Sequence, residues 1–439
     1  MNKIKTFLKQ FPRYWVTAAS AWTSKIVVSL VQIVSIRSLL SYLGEDRYAV
    51  YLIAYSLIVW FGLAQCCIGA SLQNIISEHR AKNESYDKYM SAVLQIVSVL
   101  LIVSVFIILF AAAPIQKIIF SEFSYIDEIR DMPIIAVLAL VTIVSAFTHV
   151  ALSYYFAILK GYISNIMPAI SSSLSMILIV VFNHYHICNS IMSALLIFTL
   201  PQMFLFTFLF IKVFKPYFGR LFKINKDDIK KVFIRGLKFH GILIMGAAYG
   251  QIDYLMMSRT ISASNDIVAY SLYMRIFSSA FFIYFSLISA VWPHLSEMFI
   301  KKQFAQIKRM LINNILCGLL LILLCAGVFY FLFDFIIGIL TPNIHIDKSI
   351  LLFAAISIYM FFKVIVDGLS IFLQSINAVR SIWKYMPFMI ILNAGFQYYF
   401  SKIYGINGIV LGLLLSLALT GLWVIPMKVR KVFKDAPIN

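Results

Sequence analysis

The sequence predicts an all-α polytopic membrane protein of about 12 transmembrane helices in two six-helix bundles. Three observations predict it. Of the 439 residues, 62% are hydrophobic and only 13% charged, with a mean hydropathy of +0.91. Soluble domains run at roughly 45–50% and 25%, and one or two soluble cores could not hide so much apolar surface. The apolar residues also come in long uninterrupted runs, whereas a barrel strand alternates over about ten residues. Finally, a basic, polar stretch at 212–236 divides the runs six and six. The composition excludes disordered, collagen-like and disulfide-framework classes.

The elements follow in order. The N-terminus MNKIKTFLKQFPRYW is basic and leads into the first run without a small-residue cleavage site, so it reads as a retained helix rather than a removed signal peptide. The apolar segments are 14–40, 48–76, 89–112, 133–158, 163–183 and 190–211, then 237–258, 267–292, 309–336, 349–375, 385–401 and 408–427. The domain organisation is therefore an N-terminal bundle over 1–212, a basic cytoplasmic linker over 213–236, a C-terminal bundle over 237–427 and a tail over 428–439. Prolines 168, 201, 293 and 426 are expected to interrupt or end helices.

Charge sets the orientation. With a cytoplasmic N-terminus, 27 of the 37 Lys and Arg fall on the cytoplasmic side (Lys238 and Arg309 at segment ends included), 6 outside and 4 within helices. By the positive-inside rule both termini are cytoplasmic. The net charge of +19 is then topology signal and attraction to anionic membrane lipids. No nucleic-acid motif accompanies it. The halves look related at an offset of 219: Tyr51 falls on Tyr270, Ser77 on Ser296 and Glu78 on Glu297. Six helices per half make such a repeat parallel.

A charge at the bilayer centre costs roughly 2.5–3.5 kcal/mol, so those retained face a cavity or a partner. Six positions qualify: Lys25 and Arg37 in the first segment, Asp253 in the seventh, Arg275 in the eighth, and Lys363 with Asp367 in the tenth. Four cations and two carboxylates leave the interior cationic. At 100° per residue Lys25, Ser29 and Gln32 share a face, as do Arg275, Ser279, Phe282, Ser286 and Ser289. Lys363, Asp367 and Gln374 form another stripe, and Gly246, Gly250 and Asp253 a fourth. Each has a structural reading beside the functional one. Arg37 near a helix end can snorkel, Lys363 and Asp367 can neutralise each other, Asp253 can pair with a neighbouring cation, and Gly246/Gly250 suits helix packing. His149 and His240 read as packing histidines before proton relays. Ser171, Ser172, Ser173 and Ser175 suit a polar path or close packing equally. The five cysteines, Cys66, Cys67, Cys188, Cys317 and Cys325, show no CxxC or His/Cys cluster and suggest neither disulfide nor metal. No Walker A, GxSxG, HExxH or EF-hand motif occurs, so no cofactor and no enzyme activity are expected.

Arg37-Ser-Leu-Leu-Ser-Tyr-Leu-Gly44 with Tyr48 and Tyr51, and in the second half Gln251-x-Asp253, Val268-Ala-Tyr270 and Arg275, resemble the multidrug/oligosaccharidyl-lipid/polysaccharide (MOP) exporter superfamily. Within it the chain is similar to the O-antigen (Wzx-type) flippases. The resemblance covers the whole chain. It implies two bundles around an alternating-access cavity in the bacterial inner membrane. It also implies a substrate of polyprenyl-pyrophosphate carrying an oligosaccharide, moved from the cytoplasmic to the outer leaflet in a polysaccharide pathway whose other membrane proteins are possible partners. A cationic interior offsets the desolvation of a diphosphate, so Lys25 and Arg275, with Lys363 and Arg37, are the expected substrate-binding residues. Asp253 and Asp367 are the candidate proton or sodium carriers. The alternatives are a multidrug/cation antiporter of the same superfamily, disfavoured by a first segment with cations and no acid, and a membrane polysaccharide polymerase or ligase, disfavoured by short outer loops.

Overall fold

The computed structural model describes residues 13–187, 189–222, 225–341, 346–376, 378 and 380–434. Residues 1–12, Cys188 and the tail beyond 434 lie outside the described residues, as do the side chains of Ser286, Ser289, Pro293, Ser296 and Glu297. Among the described residues regular structure is entirely helical. The main helices are α1 (Arg13–Leu43), α2 (Glu45–Gly62), α3 (Ile68–Ala81), α4 (Asp87–Ile119), α5 (Ile134–Thr148), α6 (Val150–Ala157), α7 (Gly161–His184) and α8 (Ile191–Phe214). They continue as α9 (Lys226–Thr260), α10 (Ser264–Ile300), α11 (Phe304–Phe331), α12 (Phe333–Leu340), α13 (Ile350–Ser375), α14 (Arg380–Tyr404), α15 (Ile406–Leu419) and α16 (Gly421–Lys434). Among the described residues ten helical spans are long and apolar enough to cross a membrane. The other two expected segments, 237–258 and 385–401, are also helical, inside α9 and α14. About twelve crossings therefore stand.

Lipid replaces water as the solvent of this surface, so backbone groups must bond within each helix while apolar side chains face outward. On α4, Ile102, Phe106, Leu109 and Phe110 are exposed, Phe110 at 77%, and on a soluble helix such a face would be a liability.

The chain divides into two compact units, 1–247 and 248–439, with the division inside α9. In the first, α1 lies along α7, α7 packs on α8, α8 on α5, and α5 on α2 and α4. In the second, α10 packs on α11 and α13, α13 on α15, and α14 on α15. Helix bounds recur at the 219-residue offset. Shifted by it, α7 (161–184) becomes 380–403 against α14 at 380–404, and α5 (134–148) falls inside α13 at 350–375.

Several expected boundaries shift. The stretch 213–236, expected as a linker, is partly helical. It contains a tight turn (Lys215–Arg220) and the first turns of α9. It is stitched to the first unit: Gln95 Nε2 donates to the carbonyls of Arg220 and Leu221 at 3.1 and 2.9 Å, Tyr217 OH to Asp87 at 2.7 Å, and Ser71 Oγ to the Val232 carbonyl at 2.8 Å. Its basic side chains are polar enough to read as linker, yet the carbonyls of Arg220, Leu221 and Val232 accept from side chains of Gln95 and Ser71. Segment 48–76 is two helices, because Cys66 and Cys67 both adopt left-handed backbone (φ 48° and 52°). Gly236 of α9 passes this turn so closely that a Cβ there would lie 2.8 Å from the Cys66 carbonyl oxygen. Segment 408–427 is broken at Thr420, between α15 and α16. Pro168, Pro201 and Pro426 do not interrupt α7, α8 or α16 but lie within them. The Ser171 hydroxyl bonds back to the Pro168 carbonyl at 2.9 Å.

Candidate functional site

In the second unit α13 carries Lys363 and Asp367 one turn apart, which places them on the same face. Lys363 Nζ donates to Asp367 Oδ2 at 2.9 Å, and both side chains are about three-quarters buried (25% and 29% exposed). The ammonium also lies 4.8 Å from the Phe281 ring centroid and 5.9 Å from that of Tyr249, within range of cation–π attraction. The buried Tyr249 hydroxyl is paired with that of Tyr359. The result is a cation held by a carboxylate and aromatic faces. It can bind an anion only by sharing or releasing Asp367.

Asp253 on α9 is 6% exposed. Its partner is not the neighbouring cation that its position suggested: the Tyr270 hydroxyl of α10 donates a short hydrogen bond to Oδ2, and the Tyr254 amide donates to Oδ1 at 3.1 Å. Tyr270 is itself fully buried, with Tyr254 packed edge-on at 5.9 Å. A buried phenol satisfies the carboxyl through its hydrogen bond without adding charge.

Arg275 lies half-buried on α10, its carbonyl accepting from Ser279 Oγ at 2.8 Å. In the first unit Lys25 is half-buried on α1. It sits at the edge of the face that meets α7, where Asn165 Nδ2 donates to Ser20 Oγ at 3.1 Å and Ser24 is buried. Arg37 is exposed. Within the units the structure thus brings Lys363 to Asp367 and Asp253 to Tyr270. None of the six charged candidates has a charged counterpart at the 219 offset: Lys25 faces Ile244, Arg37 Met256, Asp253 Val34, Arg275 Ser56, Lys363 Val144 and Asp367 Thr148. The repeat sets the scaffold, and the charges sit where its copies diverge. Among the described residues no group of three or more His, Cys, Asp or Glu could hold a metal.

Sequence reasoning missed a recess in the first unit of about 200 Å³, walled by polar and aromatic residues of α2, α5 and α8. His149 borders it, edge-on to Phe206 at 5.4 Å. Two clusters toward the helix ends were missed as well. Arg235 grips Glu78 with two hydrogen bonds (2.8 and 3.1 Å). Arg47 and the Ile191 amide both reach Glu128, at 3.3 and 2.6 Å. No local spacing signals either, since their partners are 63 to 157 residues apart.

No family model matches the chain. Full-length relatives do. It is 33% identical over 433 residues to a Salmonella typhi protein named "Putative O-antigen transporter", covering 97% of this chain and 98% of that one. It is 29% identical over 435 residues to a Yersinia pseudotuberculosis protein named as an O-antigen export protein, at 98% and 99% coverage. Among solved structures, an inward-facing multidrug resistance MATE family transporter of the MOP superfamily aligns with a TM-score of 0.73 at 14% identity, over 96% of this chain and all of that one. The lipid II flippase MurJ aligns with a TM-score of 0.68 at 14% identity, over 94% and 87%. Both carry this fold.

Proposed function

The chain belongs to the O-antigen transporter (Wzx-type) family of the MOP superfamily, and from that membership we propose that it moves a polyprenyl-pyrophosphate-linked oligosaccharide repeat unit from the cytoplasmic to the outer leaflet of the bacterial inner membrane. The observation that carries the reading is the 33% identity extending over 97% of the chain. The charge of the interior supports it. Four cations against two carboxylates, with one carboxylate satisfied by Tyr270, suit an anionic diphosphate and repel the cationic drugs of an antiporter.

In this reading Lys25 and Arg275 hold the phosphates, with Lys363 and Arg37 assisting. Arg supplies the planar fork that matches a phosphate, and Lys a compact charge. Both termini face the cytoplasm. Asp253 or Asp367 carries the proton or sodium ion that couples transport to a gradient, and no bond of the substrate is broken.

Deletion of the gene in its host, with surface glycan and the sidedness of the lipid-linked unit assayed together, tests this. Loss of surface glycan with the unit trapped on the cytoplasmic side is the expected result, reproduced by Arg275→Ala. Normal glycan with heightened sensitivity to cationic drugs refutes it. Transport unchanged by Asp253→Asn plus Asp367→Asn and by collapsed gradients removes the two carboxylates from coupling.

A further inference from the structure

We propose that the recess of the first unit is a sugar-binding subsite that receives one neutral ring of the substrate's oligosaccharide; this rests on the flippase reading above. The recess lies among α2, α5, α8 and the turn at Gln65, with about 200 Å³ of space, on the scale of a single saccharide ring and far below that of a whole repeat unit.

Its chemistry is that of polyol recognition. No Asp, Glu, Lys or Arg lines it, so it offers a diphosphate no Lys or Arg cation to offset its charge. Gln65 and Gln202 each bring an amide with donors and an acceptor, and neither side chain hydrogen-bonds to another described residue. Tyr55, Phe198 and Phe206 supply aromatic faces for the apolar faces of a sugar ring.

The walls hold polar groups that the fold itself leaves unused. Thr142 and Ser145 of α5 are 6% and 7% exposed, line the recess, and have hydroxyls without a hydrogen-bond partner. Two neighbouring hydroxyls bond back to the preceding turn instead, Thr148 to the Val144 carbonyl at 2.8 Å and Thr199 to the Leu195 carbonyl at 2.8 Å. Leaving a buried hydroxyl unpaired is unfavourable, and a ligand hydroxyl restores the bond.

The second unit fills the corresponding space with its own side chain. At the 219 offset Gln65 becomes Tyr284, Ser145 becomes Val364, His149 becomes Gly368 and Gln202 becomes Gly421. Tyr284 is 1% exposed, and its hydroxyl donates to the Val364 carbonyl at 3.1 Å. It lies so close to Gly368 that a Cβ there would be 2.5 Å from its hydroxyl oxygen. One copy is plugged by a tyrosine over glycine, and the other is hollow and lined with amides and hydroxyls.

The test uses the purified full-length protein in lipid nanodiscs and two probes. One is undecaprenyl diphosphate without sugar, and the other is the glycosylated carrier extracted from cells lacking the transporter. Wild type is expected to bind the glycosylated carrier more tightly. Gln65→Tyr, copying the plug, and Gln202→Ala should each weaken that binding about tenfold, or about 1.4 kcal/mol, and leave the sugar-free carrier unaffected. Thr142→Val, close in shape and removing only a hydroxyl without a hydrogen-bond partner, should erode the same preference and guards against misfolding of the tyrosine variant. Variants that keep the wild-type preference, or lose both ligands in parallel, overturn the subsite. A wild type that binds both carriers equally overturns it while leaving the flippase reading intact. A wild type that binds neither sinks the flippase reading itself. Competition by the oligosaccharide freed of its lipid separates a sugar site from a site for the carrier.

Discussion

Lys363→Met separates the two roles open to the Lys363–Asp367 pair. The change keeps much of the side chain's length and removes its charge, its 2.9 Å bond to Asp367 and its attraction to the Phe281 ring. Exposed ion pairs are worth about 0.2–1 kcal/mol, and breaking fully buried ones costs about 3–5 kcal/mol. At 25% and 29% exposure this pair falls between, and we expect a loss of about 1–3 kcal/mol. Asp367→Asn should cost less. Its amide still accepts from Lys363, and the ammonium keeps the aromatic rings and a long, mobile stem. The double variant should recover part of the stability, with a coupling of about 1–2 kcal/mol. Thermal unfolding of the purified protein followed by fluorescence size exclusion reads the stability, and export of the lipid-linked unit in a deletion host reads the transport. If Lys363 holds phosphate, the double variant regains stability and remains deficient in export. Full recovery of export in the double variant refutes the binding role and leaves Lys363 a structural partner. No loss of stability in Lys363→Met refutes the pair.

Three further outcomes follow from individual contacts. Gly318→Ala places a Cβ 2.5 and 2.6 Å from ring carbons of Tyr284 and 2.8 Å from Val364 Cγ1, and overpacking of this kind should destabilise by about 1–3 kcal/mol, read as a lower melting temperature that Tyr284→Leu partly restores. Tyr270→Phe removes the donor to buried Asp253 and should cost about 1–3 kcal/mol, whereas Asp253→Asn, which still accepts from Tyr270, should be milder in the same melting assay. The Arg235 guanidinium, hydrogen-bonded to Glu78, holds that carboxyl below its ordinary range; the half-exposed pair (Glu78 at 52%) contributes about 0.2–1 kcal/mol, present above the usual carboxylate pKa of about 4.3 and lost as pH falls through the lowered value, a dependence that Arg235→Ala should abolish in acid-unfolding titrations.

Helix count, two-fold repetition and family were legible because they rest on local quantities. Bilayer thickness sets the length of an apolar run whatever its neighbours do, and the 219 offset read from Tyr51/Tyr270 reappears in the matching bounds of α7 and α14. Lys363 and Asp367 were legible as a pair because one helical turn brings them together. Side-chain partnerships between helices were not. Asp253 meets Tyr270 instead of a cation, and Glu78 finds Arg235 157 residues away. Such pairings depend on the rotation and rise of each helix against its neighbour, which periodicity leaves free. The break at Cys66–Cys67 carried no Gly or Asn to announce left-handed backbone. The hollow among Gln65, Thr142, Ser145 and Gln202 was invisible for a related reason. Each is an ordinary polar residue on its own helix, and only packing of α2, α5 and α8 leaves space between them where the second copy places Tyr284. The sequence by itself determined a two-fold repeated helical membrane transporter. The tertiary structure alone decided which polar groups are spent on each other and which are left for a ligand, because hydrogen bonding between helices is a property of contact geometry.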